Sequence, residues 1–180
     1  MALVSSRRIY TGRVLNLDLD TVRFPNGSVG ELEMIRHPGA SAVVPFFDDP
    51  VAPDPVLLMI HQFRHAADRY VWEVPAGRLE PGELPEACAR RELEEEAGVV
   101  AAELRRLTTI YSTPGFTDER IHLFLATGLT GGTTRHEADE FVEVRQMRWS
   151  EVLSLIERGE ITDAKTLVSL MFVECFRRGP

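Results

Sequence analysis

Gly77-Arg78-Leu79-Glu80-Pro81-Gly82-Glu83-Leu84-Pro85-Glu86-Ala87-Cys88-Ala89-Arg90-Arg91-Glu92-Leu93-Glu94-Glu95-Glu96-Ala97-Gly98-Val99 joins a Gly/Pro-containing loop to a glutamate-rich segment. Proline suits a first helical turn and glycine a stop, which predicts a helix from about Pro85 to Ala97. At about 3.6 residues per turn, Glu92 and Glu96 lie one turn apart on one face. Glu95 falls on the same side, within an arc of roughly 100°. Glu94 points elsewhere, and Ala89, Leu93 and Ala97 form a neighbouring apolar stripe that docks the helix on a sheet. Each like-charged i,i+4 pair costs about 0.2–0.5 kcal/mol unless a cation sits among the carboxylates. Hard oxygen ligands favour Mg²⁺, with Mn²⁺ as the alternative. A glutamate run alone is more often a solvated helix face. The preceding frame changes that reading. Gly77 permits an unusual backbone angle, Glu83 sits at the loop-to-helix junction, and Arg91 can anchor a carboxylate by a forked ion pair.

Outward from this stretch, short apolar runs at 42–47 and 56–60 flank the proline-stiffened segment 48–55, a strand-loop-strand pattern. Val71 to Pro75 leads into the loop. Beyond the helix, strands are expected near 104–112, 120–127 and 141–149. Ser150 can cap a helix running to Gly159, and Asp163 a last helix ending near Arg178-Gly179. Leu15, Leu17 and Leu19 alternate with Asn16, Asp18 and Asp20, a period of two that suits a half-buried strand. Pro25-Asn26-Gly27 is a hairpin turn signal, with a return strand over Glu31 to Arg36. Strands interleaved with a few helices indicate an α+β or mixed α/β sandwich. Residues 1–40 read as a β-rich extension and 41–180 as the main domain.

The chain has 180 residues, with 20 Lys and Arg against 28 Asp and Glu, a net charge of −8. A composition of 44% hydrophobic and 27% charged residues argues against disorder. No apolar stretch approaches the ~20 residues that span a bilayer, and the opening residues lack a secretory apolar run. Cys88 and Cys175 cannot build a disulfide framework, so a reduced, cytoplasmic home is expected. The acidic balance disfavours nonspecific nucleic-acid binding.

Gly77, then Glu83, then Arg91-Glu92-Leu93-x-Glu95-Glu96-x-Gly98-Val99 resembles a complete Nudix box, without departure at any defined position. Gln62-Phe63-Arg64, Trp72-Glu73-Val74-Pro75-Ala76-Gly77, Pro114 to Glu119 and Gly159 to Thr166 extend the resemblance to the ADP-ribose pyrophosphatase branch. The resemblance implies a Nudix α/β/α sandwich with a mixed sheet and an N-terminal β extension. It implies Mg²⁺-dependent hydrolysis of ADP-ribose to AMP and ribose 5-phosphate, by a homodimer paired through that extension. By family pattern, Glu92 and Glu96 ligate metal with the main-chain carbonyl of Ala76. Glu95 is a further ligand or support, Glu83 an outer partner, and Arg91 orients the carboxylates. Arg64 meets substrate phosphate or ribose. The general base comes from a loop before a late strand, here Glu140 with Glu137 next, whereas Glu143 alternates with Val142 and Val144 and faces solvent.

Trp72 and Glu73 belong to the flanking pattern, and Trp72 can stack on a base or pack in the core. Pro114 and Phe116 are candidate substrate contacts, with a plain turn anchor as the alternative, and Arg36 is a candidate phosphate contact. His61 and His65 sit four apart in sequence that reads as strand then loop, which argues against a helical metal pair, while His122 reads as structural and Cys88 as packing. Two alternatives remain open: a broader nucleoside diphosphate sugar hydrolase, acting on GDP-mannose or similar, and a non-catalytic ligand sensor. The intact Glu92/Glu95/Glu96 set weighs against a sensor.

Overall fold

The structure, a computed structural model, describes residues 1–134 and 142–176. An antiparallel sheet is formed by β1 (Ala2–Thr11), β2 (Asn16–Arg23) and β3 (Val29–Arg36), with the expected turn between the last two. The period of two is present in β2, but its buried side carries Asp18 and Asp20 while Leu17 and Leu19 stay half-exposed. The reason is Arg36. Its Nε donates to Asp18 (3.1 Å), its Nη2 to Asp20 and its Nη1 to Asp118 (3.3 Å). Arg8 and Ser6 of β1 complete the pairing with Asp18 and Asp20. Buried carboxylates are tolerated when hydrogen-bonded and paired.

A second sheet is ordered β7-β4-β9-β8, from β4 (Ala40–Pro45), β7 (Ala76–Arg78), β8 (Val99–Tyr111) and β9 (Arg120–Gly131). It is mixed, because β4 runs parallel to β9 and antiparallel to β7. A third, antiparallel sheet is ordered β10-β5-β6, from β5 (Val56–Arg64), β6 (Arg69–Glu73) and β10 (Val142–Arg148). Alternation along β4 builds two cores. Ala42, Val44 and Phe46 face α2 (Trp149–Glu157) and α3 (Ala164–Phe176), while Val43 joins Ala89, Leu93 and Ala97 of α1 (Pro85–Ala97). The architecture is the expected α/β/α sandwich.

α1 keeps its predicted limits, and Gly98 ends it at φ +66° with its amide donating to Glu94 O. β8 begins at Val99, directly after that turn, rather than near 104. At α2 the expected cap is corrected: Asp54, from the β4–β5 loop, accepts from the Ser150 amide (2.8 Å) and hydroxyl (3.1 Å). Asp163 does cap α3, accepting from the Thr166 amide at 3.0 Å. Among the described residues no helix is long and apolar enough to cross a membrane. The C-terminal end expected for the last helix, Arg178-Gly179, lies outside the described residues, as do Glu137 and Glu140.

Candidate active site

The loop Leu79–Leu84 is clamped to α1 by one arginine. Arg91 forks onto Glu83 (Nε–Oε1 2.9 Å, Nη2–Oε2 3.0 Å) and also donates to the Arg78 carbonyl (3.0 Å). Its Nη1 reaches Glu92 (2.6 Å) and Glu95 (3.1 Å). The forked pair holds the Glu83 carboxyl below the usual range, and the same contacts raise the Arg91 pKa further. Glu96 is 5% exposed and accepts the Ala76 amide at 2.8 Å, which ties β7 to the helix. Gly77 is required for space rather than for angle. Its φ is not positive, but a Cβ there would lie 2.0 Å from the Glu92 carboxylate. The unusual angle belongs to Gly82, at φ +79°. Cys88 is packing, as expected, its thiol pushed up to about 12 by burial and by Glu92 and Glu83.

These elements wall a cleft of about 1350 Å³ that also draws on Gly12–Val14, the end of β5 and the start of α3. Arg64, Ala76, Arg91, Glu92, Glu95 and Glu96 all line it. A smaller cavity of about 430 Å³, between the β4–β5 loop and β8–β9, holds none of the expected site residues.

Five expected substrate contacts, Arg36, Trp72, Glu73, Pro114 and Phe116, do not line the larger cleft. Arg36 has its guanidinium committed to Asp18, Asp20 and Asp118, so it holds the N-terminal sheet to the loop before β9. Glu73 is only 2% exposed, and both of its oxygens are taken by Arg64 and Lys165. Trp72 stacks on His61 (centroids 4.2 Å, planes 20° apart) beneath the Arg145 guanidinium, on the β5–β6 face. Pro114 and Phe116 are exposed outside the cleft, and the Phe116 carbonyl accepts the Ile35 amide (2.8 Å), which makes this segment an anchor to β3. His61 is a strand residue whose pKa burial lowers, and His122, structural as expected, pairs with Thr109 (2.9 Å).

Sequence reasoning missed Lys165, Asn16 and Gln62 as cleft residues. Asn16 Oδ1 and Gln62 Oε1 are buried without a hydrogen-bond partner among the described residues. Gln62 was legible only as part of a motif, because an isolated amide gives no periodic signal. These two residues line the same cleft, where each oxygen can accept from a hydroxyl or an ordered water. The donor set on α1 fits a hard divalent cation, being carboxylate oxygens on one face beside a peptide group. As the side chains stand, no three His, Cys, Asp or Glu among the described residues are placed to share an ion. Arg91 supplies the positive charge between Glu92 and Glu95 instead.

Residues 36–170 match the NUDIX domain. The chain belongs to the Nudix family. This Nudix chain is 39% identical over 173 residues to an ADP-ribose pyrophosphatase of Bacillus subtilis, spanning 95% of this chain and 91% of the relative. It is 35% identical over 173 residues to a methanol dehydrogenase activator of Bacillus methanolicus, with the same coverage. A crystal structure of an ADP compounds hydrolase superposes with a TM-score of 0.81 at 20% identity, covering 96% of this Nudix chain and 91% of the other, a likeness of fold.

Proposed function

We propose that the protein hydrolyses ADP-ribose to AMP and ribose 5-phosphate with Mg²⁺, water attacking one phosphorus of the diphosphate and the bridging oxygen leaving with the other phosphate. The observation that carries this is one cleft uniting the α1 carboxylates, Arg64 and Lys165, and the orphaned Asn16 and Gln62 oxygens. A diphosphate needs cations, and two riboses need hydroxyl acceptors. A relative named for this activity, aligned almost end to end, supports the reading.

A bound divalent ion would supply charge neutralisation at the diphosphate and a water of lowered pKa. Glu92, Glu95 and Glu96, with the Ala76 main chain, would hold it. Arg91 keeps Glu92 and Glu95 aligned, and the Ala76 amide holds Glu96. Arg64, fixed through Nε and Nη2, has Nη1 left for a phosphate oxygen. Glu140, with Glu137 next, would take the proton from the attacking water.

The N-terminal sheet supports a homodimer, since Leu3, Val4, Ile9 and Tyr10 of β1 are all about half-exposed or more. Two unpaired cysteines support a reducing, cytoplasmic home.

The test is release of AMP from ADP-ribose, alongside GDP-mannose and other nucleoside diphosphate sugars, with and without Mg²⁺. Activity on ADP-ribose that vanishes with chelation is the expected result. Glu96→Gln and Glu140→Gln should each lose activity by orders of magnitude while staying folded. Preferred turnover of GDP-mannose would move the reading to a broader sugar-nucleotide hydrolase, and tight binding without turnover would make the protein a sensor.

A further inference from the structure

Glu73 is a buried carboxylate that the reaction scheme leaves without a task. It sits at the end of β6, 2% exposed, where an unpaired charge would be strongly destabilising. Arg64, from the neighbouring strand, grips it side-on through Nε (2.7 Å) and Nη2 (2.8 Å). Lys165 Nζ takes the other flank, bonding Glu73 Oε2 and lying 3.1 Å from Asp163. Burial alone would raise the Glu73 pKa, but the Arg64 hydrogen bonds and the Lys165 charge outweigh it and hold the group ionised. Lys165 is itself anchored. The first turn of α3 is capped by Asp163, and Thr166 Oγ1 accepts the Val74 amide at 3.0 Å, bolting the helix to the segment after β6. Both cations line the cleft that holds Glu92, Glu95 and Glu96, whereas Glu73 does not reach it.

We propose that Glu73 is a positioning residue holding Arg64 and Lys165 as a cationic jaw in the cleft of the α1 carboxylates, and that Lys165 binds a phosphate oxygen of the substrate diphosphate. This deepens the proposed function and rests on it for the identity of the substrate. A carboxylate shared between two cations orients both without entering the cleft, so Arg64 presents one guanidinium edge and Lys165 keeps donors for an anion. The pair would recognise any diphosphate, leaving base and sugar to the rest of the cleft.

The experiment compares wild type with Lys165→Gln, Lys165→Arg and Glu73→Gln, reading kcat and KM for ADP-ribose separately. The affinity for magnesium pyrophosphate is measured by calorimetry. Losing a charge-assisted hydrogen bond should raise KM and weaken pyrophosphate binding by about tenfold or more in Lys165→Gln, with kcat little changed. Lys165→Arg should restore most of the affinity. Glu73→Gln should show the same split, and adding it to Lys165→Gln should cost less than the product of the two effects, since the two act as a unit. If Glu73→Gln fails to fold, the Lys165 pair decides the matter alone. Pyrophosphate binding indifferent to Lys165 would overturn the jaw whatever the activity. Lys165-dependent pyrophosphate binding without ADP-ribose turnover would sink the proposed function and leave the jaw standing.

Discussion

A methyl group at position 77 would take the space of the Glu92 carboxylate. The Cβ of Gly77→Ala would stand 2.0 Å from the Glu92 carboxylate, so the strand or the carboxylate must move. The atoms in the way are the far end of a flexible side chain, so the shift should cost the fold little. Turnover should fall far more than stability, by orders of magnitude, because the displaced group is an expected metal ligand. Parallel measurements of kcat and Tm check this, and near-wild-type kcat would show that Glu92 tolerates the shift. At this scale the sequence was informative where residue type and spacing repeat a motif, and misleading where a contact partner lies far along the chain. Nothing local says that Arg36 turns inward to Asp18, Asp20 and Asp118, or that Glu73 is buried beneath Arg64 and Lys165.

The segment from β7 through α1 behaves as one preassembled element. Arg91 bonds Glu83, Glu92, Glu95 and the Arg78 carbonyl, while Glu83 also accepts the Glu80 amide (2.9 Å). The Glu83 carboxyl is held below its ordinary range chiefly by Arg91, against an opposing push from burial. A depressed carboxyl contributes stability that is fully present above the unfolded pKa of about 4.3. That contribution is lost as the pH falls through the lower folded value. Glu83→Gln should therefore be less stable than wild type at neutral pH, with the gap closing as the pH falls below about 4.3. Urea titrations across that range measure it, and a gap independent of pH would show that the ion pair adds nothing. α1 was legible to the residue because proline, glycine and a charged face all mark its limits. The start of β8 was not, since Ala101-Ala102-Glu103 carries no strand pattern, and the cap of α2 was not, since Asp54 arrives from a distant loop.

For the whole molecule, the exposed β1 is the unfinished part. Leu3 and Ile9 are 61% and 47% exposed on β1, the edge strand of its sheet, and an exposed apolar edge of this kind invites pairing. Light scattering should give twice the 20.2 kDa chain mass, and Leu3→Lys with Ile9→Lys should give single chains. A wild-type protein that stays monomeric at high concentration would refute the pairing. The sandwich was legible from alternating strands and helices, while the sidedness of β2 was not, because ion pairs rather than apolar burial decided it. One further consequence follows from β4, whose alternate side chains feed two separate apolar layers. Changes beneath α2 fall in a layer separate from the packing under α1. The flank under α2 is thereby the freer to diverge, while the helix that carries Lys165 stays tied to the cleft.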